Sequence, residues 1–66
     1  MKIILHSNHC VRCRQLSQEL QKKNITYEEN NNIDEMIARG FAFLPVLEVD
    51  GVTMGFKDAL KWIGEQ

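Results

Sequence analysis

Cys10 and Cys13 are the two cysteines of this 66-residue chain, and they stand three positions apart as Cys10-Val11-Arg12-Cys13. A C-x-x-C beside a strand–helix pattern reads as a thiol–disulfide redox pair. The reasons are positional. A thiol at the first turn of a helix sits among unpaired backbone N–H groups, which favour its thiolate. A thiol three residues further on shares that helix face and can attack a mixed disulfide formed by the first. The same stretch allows a second chemistry. His6, His9, Cys10 and Cys13 give H-x-x-H-C-x-x-C, four nitrogen or sulfur donors of the kind that hold zinc. Zinc knuckles generally draw ligands from separated segments to tie a fold together, whereas these four donors are local. His6 and His9 are therefore read as exposed loop residues, and a small zinc-binding module is kept as the alternative.

A redox pair needs a helix start held in place, and the neighbouring pattern supplies one. Ile3-Ile4-Leu5 is a short apolar run suited to a buried strand, followed by polar His6-Ser7-Asn8-His9. From Val11 to about Lys23 the period is helical, with Cys13, Leu16 and Leu20 on one face. Arg12, Gln15, Glu19 and Lys22 fall on the other side. That phase turns Cys13 to the core and leaves Cys10 exposed, so Cys10 is the expected nucleophile and Cys13 the resolving thiol. Asn24 is the expected stop of the helix. Arg12, Arg14 and His9 put positive charge near Cys10, but the two arginines point outward, and a solvated basic face is the preferred reading of them.

Downstream, Ile25-Thr26-Tyr27 alternates as a strand, and Asn30-Asn31-Asn32 is a turn cluster. Asn32 and Glu35 have capping-box spacing for a short helix with Ile33, Met36 and Ile37 as its apolar residues, closed by Gly40. Phe41-Ala42-Phe43-Leu44 leads to Pro45. Val46 to Val49 reads as a strand, Asp50-Gly51 as a tight hairpin turn, and Val52-Thr53-Met54 as the antiparallel partner. A last helix runs from about Lys57 to Glu65, with Ala59, Leu60 and Ile63 facing the core. Tyr27, Phe41, Phe43 and Trp62 are expected packing residues, while Phe56, on the turn beside the thiols, is a candidate for a docking surface.

The order β-α-β-α-β-β-α predicts an α/β fold in one domain spanning residues 1–66, a four-stranded mixed sheet flanked by three helices. Its first strand–helix–strand unit is expected to be parallel and right-handed. The cysteines then lie at the carboxyl edge of the sheet, where open α/β folds place their chemistry. Hydrophobic residues at 44% and charged residues at 26% suit a soluble globular protein. A net charge of −1 gives no electrostatic case for nucleic acid or an anionic membrane. No apolar run approaches a membrane span, and Met1-Lys2-Ile3-Ile4-Leu5 is too short for a signal peptide. The chain is expected to be cytoplasmic and monomeric, in a compartment where a two-cysteine pair is more often catalytic or metal-binding than structural.

Cys10-Val11-Arg12-Cys13 after the first strand, Leu44-Pro45-Val46 opening the third, Val49-Asp50-Gly51 and then Gly55-Phe56 together resemble the glutaredoxin-like members of the thioredoxin superfamily. The resemblance covers nearly the whole chain and implies a thioredoxin-like fold of glutaredoxin type. It implies a dithiol oxidoreductase that reduces protein or mixed disulfides, with no bound cofactor and a role in redox homeostasis. In that family the proline is cis and lies beside the active-site disulfide, and the residue before it offers backbone groups to the substrate. Pro45 and Leu44 hold those places here. The implied catalytic residues are Cys10 and Cys13, and the implied substrate-binding residues are Val11, Arg12, Leu44, Pro45, Gly55, Phe56, Lys57 and Asp58.

Three positions depart from the family pattern. Leu44 stands where threonine is usual, and Ser7 where glutathione-using relatives often carry lysine. Lys57-Asp58 replaces a pair of aspartates that binds the glutathione amine. Gly55-Phe56-Lys57 is similar to the Gly-Phe-Arg of redoxins that reduce ribonucleotide reductase and are recharged by thioredoxin reductase. Glutathione and thioredoxin reductase are thus both candidate electron donors, and ribonucleotide reductase is a candidate among disulfide-containing protein substrates. The resemblance also raises an iron–sulfur cluster shared by a dimer through Cys10 and glutathione, which the altered glutathione site disfavours.

Overall fold

The structure is a computed structural model that describes residues 1–8 and 10–66. Among these residues the elements are β1 (Ile3–His6), α1 (Val11–Lys22), β2 (Glu28–Asn30), α2 (Ile33–Ala38), β3 (Val46–Val49), β4 (Val52–Met54) and α3 (Phe56–Gly64). The strands form one mixed sheet in the order β2-β1-β3-β4. β1 runs parallel to β2 and antiparallel to β3, and β3 pairs antiparallel with β4. The expected α/β architecture of four strands and three helices is present. No helix among the described residues is long and apolar enough to cross a membrane.

Strand alternation divides the sheet into two unlike faces. Ile3 lies opposite Val49 and Leu5 opposite Leu47, and these four residues meet Leu16 and Leu20 of α1 and Ala59 and Ile63 of α3 in the main core. Each fully buried leucine or isoleucine there is worth roughly 1.5–3 kcal/mol. The other face pairs Ile4 with Glu48 and His6 with Val46.

Local signals end the helices cleanly. Asn24, at φ 56°, closes α1: its N–H donates to Gln21 O and the Ile25 N–H to Leu20 O, the paired bonds of a Schellman motif. Gly40, at φ 80°, ends α2 in the same way through Ile37 O and Met36 O. At the start of α2 the Asn32 side chain accepts from the Glu35 N–H at 3.1 Å. Asp50 and Gly51 both have positive φ, as a two-residue hairpin turn with the twist of its strands requires.

Several expectations need correction. The second strand is Glu28–Asn30, not Ile25-Thr26-Tyr27. The Schellman cap commits the Ile25 N–H to α1, and Ile25 and Tyr27 instead pack half-buried against the core. Pairing with β1 begins at Glu28, opposite Ile4. In α2 only Met36 is buried, while Ile33 and Ile37 are exposed, because six residues present a single apolar position to the sheet. α3 begins one residue earlier than expected, at Phe56. Phe43 is not packed at all and lies 83% exposed.

His6 overturns its reading as an exposed loop residue. It is the last residue of β1 and only 1% exposed. The Asn32 N–H donates to Asn30 Oδ1 at 3.0 Å, which leaves Asn30 Nδ2 facing His6 Nδ1, also at 3.0 Å. Nδ1 therefore accepts, and Nε2 carries the proton and donates to Glu48 Oε1 at 2.9 Å. Arg39 Nη1 meets the same oxygen at 3.0 Å. Phe41 closes the cluster, with its ring 5.0 Å from the imidazole and under the Arg39 guanidinium.

The hydrogen bond from His6, helped by Arg39, holds the Glu48 carboxyl below its ordinary range against the opposing effect of burial. Its contribution to stability is therefore complete above the unfolded value of about 4.3 and is lost as pH falls through the lower folded value. Replacing Glu48 with leucine leaves the buried His6 Nε2–H without its acceptor, which costs about 1–3 kcal/mol. Thermal unfolding should show a lower Tm for Glu48→Leu near pH ~7, with the gap narrowing towards about pH 3. A gap of equal width across that range would contradict the assignment.

Candidate active site

The loop after β1 brings the chain to the amino end of α1 with Cys10 as the N-cap. Cys10 is extended (φ −74°, ψ 169°), and its carbonyl accepts the Arg14 N–H at 3.0 Å in the first helical turn. Its Sγ does what a capping serine or aspartate does elsewhere, accepting the Cys13 N–H at 3.2 Å. One turn on, the stripe that buries Leu16 and Leu20 draws Cys13 into the protein, leaving it 2% exposed. The Cys13 thiol has two acceptors in reach, Asn8 Oδ1 at 3.5 Å and Cys10 Sγ, and its one proton serves one of them at a time. Both cysteines are free, and Cys10 is the more accessible.

These surroundings move the two thiols in opposite directions. Burial by itself would raise Cys10, but hydrogen bonds outweigh it. They come from the Cys13 side chain and from the backbone of Cys13, Arg12 and Cys10, and they bring the Cys10 thiol below its ordinary value. Burial raises Cys13, and its hydrogen bond and charge interaction with Cys10 raise it further. Arg12 thus acts on Cys10 through its backbone. Its guanidinium lies 5.4 Å from the centre of the Phe56 ring, a cation–π contact that ties the start of α1 to the start of α3.

A groove of about 400 Å³ reaches the C-x-x-C stretch at Arg12 and is lined by Arg12, Phe43, Leu44, Pro45, Gly55, Phe56, Lys57 and Asp58. Seven of the eight substrate-binding residues inferred from the sequence therefore meet on one wall. Val11, 74% exposed, stands outside it. Pro45 is buried and the Leu44–Pro45 peptide bond is cis. Gly55 is the N-cap of α3, and Asp58 in its first turn complements the helix dipole.

Ser7, 1% exposed, lies beneath the cysteine loop. Its N–H continues the ladder to Asn30 O at 3.0 Å, and its Oγ donates to Glu29 Oε2 at 3.1 Å. The Asn31 amide, with its nitrogen turned inward, donates to Ser7 Oγ at 3.0 Å and to Glu29 Oε2 at 3.1 Å. Ser7 is thus a buried structural hydroxyl.

The zinc reading relied on His6 and His9. Both ring nitrogens of His6 are engaged by Glu48 and Asn30, on the opposite side of the sheet from the main core. His9 lies outside the described residues, and with it any part in a metal site or in the electrostatics of Cys10. Among the described residues, no group of three or more His, Cys, Asp and Glu side chains is placed to hold a metal ion.

Sequence reasoning missed two members of the site. Asn8, an acceptor for the Cys13 thiol, carried no signal beyond its nearness. Phe43 carried none either: residues 41–45 form no strand, so no alternation fixes where its ring points, and only the fold shows it 83% exposed.

Iodoacetamide alkylation followed against pH should label Cys10 with a midpoint below the ordinary thiol value of about 8.5. Cys13→Ala removes the side-chain hydrogen bond to Cys10 and should move that midpoint upward. An unchanged midpoint in the variant would remove Cys13 from the activation of Cys10. No protein-family model, curated protein or solved structure matches this chain.

Proposed function

We propose that this chain is a dithiol thiol–disulfide oxidoreductase with a thioredoxin-like fold of glutaredoxin type, in which Cys10 is the nucleophile and Cys13 the resolving thiol. One observation carries the reading. Two free thiols stand three residues apart at a helix start, the half-buried Cys10 as N-cap accepting the Cys13 N–H at 3.2 Å and Cys13 buried one turn on. These surroundings favour the Cys10 thiolate over that of Cys13. The cis Leu44–Pro45 bond on the wall of the adjoining groove supports it.

Each step balances. The Cys10 thiolate attacks one sulfur of a substrate disulfide, forming a Cys10–substrate disulfide and releasing the other sulfur as a thiolate that takes a proton from solvent. Cys13, once deprotonated, attacks Cys10 Sγ, closes the Cys10–Cys13 disulfide and releases the second substrate thiolate. Two electrons pass from the dithiol to the substrate. The order follows from the electrostatics. While Cys10 is a thiolate, its charge and its hydrogen bond hold the Cys13 proton in place. The mixed disulfide removes both influences, so Cys13 ionises more readily when its attack is needed.

A thiol donor then returns the pair to its reduced form. Ser7 is buried in a polar cluster and Lys57 reverses one charge on the groove, which favours thioredoxin reductase over glutathione. Reduction of insulin and of hydroxyethyl disulfide, each supplied by glutathione with glutathione reductase or by thioredoxin reductase, tests function and donor together. Cys10→Ser should abolish turnover. Cys13→Ser should stop at a mixed disulfide detectable as an intact-mass increase. Absence of turnover with both reductants would leave the chain as a non-enzymatic binding module.

A further inference from the structure

Phe43 projects into solvent between two depressions. The first is the groove bordered by Arg12, two residues from Cys10. The second, of about 230 Å³, is walled largely by Phe41, Ala42, Val46 and Met54, and Phe43 and Gly55 border both. This second groove reaches β4, one of the two edge strands of the sheet. The two differ in charge as well as position. Arg12 and Lys57 outnumber Asp58 on the first, giving it a positive balance on a chain of net charge −1. Among the described residues, none on the wall of the second has an ionisable side chain.

Resting on the redox reading of Cys10 and Cys13, we propose that the double groove selects an extended acidic–apolar polypeptide disulfide. The substrate sulfur lies beside Cys10, an acidic side chain faces Arg12 and Lys57, and an apolar side chain packs over Phe43 into the second groove. A small disulfide fills the first groove alone and covers Phe43 on one side only. On an extended peptide, side chains two positions apart project to the same side, so residues two before and two after the cysteine reach the two subsites together. Opposite charge speeds the encounter, and covering an exposed phenylalanine gains about tenfold or more in affinity.

The test uses pre-reduced protein in single turnover against pentapeptides whose central cysteine carries a thionitrobenzoate leaving group. Cys10 attacks the peptide sulfur, the coloured thiolate leaves, and its release gives the rate. One pair of peptides has glutamate and phenylalanine two positions either side of the cysteine, in both orders. The comparison pair has lysine and serine at those positions. For the wild type, the better glutamate–phenylalanine peptide should react at least about tenfold faster than its lysine–serine counterpart. Phe43→Ser should bring that ratio to within about twofold, and Lys57→Glu should reduce it as well. A wild-type ratio near one in both orders overturns the proposal, as does a Phe43→Ser ratio equal to the wild type's. Hydroxyethyl disulfide, run alongside, separates the two ideas. Reaction with it but no peptide preference overturns the docking surface alone, whereas no reaction with any disulfide removes the redox reading beneath it.

Discussion

Burial of the Cys13–Leu16–Leu20 stripe of α1 against the sheet is the constraint on which the site depends. A helix turns about 100° per residue, so moving this stripe by one position would bring Arg12 or Arg14 towards the core without a partner. The phase is therefore held by the cost of the alternatives as much as by the leucines. With the phase held, the last extended residue before the helix is Cys10, at the surface with the Cys13 N–H aimed at its sulfur. The residue one turn on is Cys13, inside. The same packing that stabilises the helix makes two chemically similar thiols unequal.

The other face of the sheet holds the second half of the site. His6, Asn30, Glu48 and Arg39 join β1, β2, β3 and the end of α2 through hydrogen bonds and an ion pair, and Phe41 packs over them. Phe41 is where the chain leaves α2 for the Phe43-Leu44-Pro45 wall of the groove. His6 also lies opposite Val46, the residue after Pro45, in the β1–β3 ladder. One buried imidazole thus anchors both ends of the segment that faces the thiols. Sulfur chemistry rests on the apolar face, and the groove wall on the polar one.

What could be read in the sequence was whatever is decided locally. The stripe of α1, the caps at Asn24, Asn32 and Gly40, and the Asp50-Gly51 turn each depend on residues within one or two turns of one another, and each is present. What escaped depends on distant partners. His6 finds Asn30 at 24 residues' separation and Glu48 at 42, and no local pattern marks a histidine as buried between them. The edge strand Glu28–Asn30 is polar and carries no apolar alternation, because its place follows from backbone pairing with β1 once the Schellman cap has used Ile25. The groove is an intermediate case. Most of its residues were recognisable singly, but Phe43 joins them through the irregular path of residues 41–45, which no local pattern sets.

Positive charge near a C-x-x-C invites the inference that arginine side chains activate the thiol, and here the geometry divides the work differently. The influences that lower Cys10 are hydrogen bonds over a few ångströms, from the Cys13 side chain and from backbone at the helix start. Such short contacts are little affected by salt. The Arg12 guanidinium is held over Phe56 on the groove wall, close to Lys57, where its charge reaches whatever lies in the groove. Exposed charges of that kind are screened within about 10 Å at moderate ionic strength. The reactivity of the thiol and the attraction of its substrate therefore rest on separate parts of the same residue, the Arg12 backbone and the Arg12 side chain. A substitution at Arg12 that preserves the helix removes the second and leaves the first, which makes recognition adjustable without disturbing the sulfur chemistry.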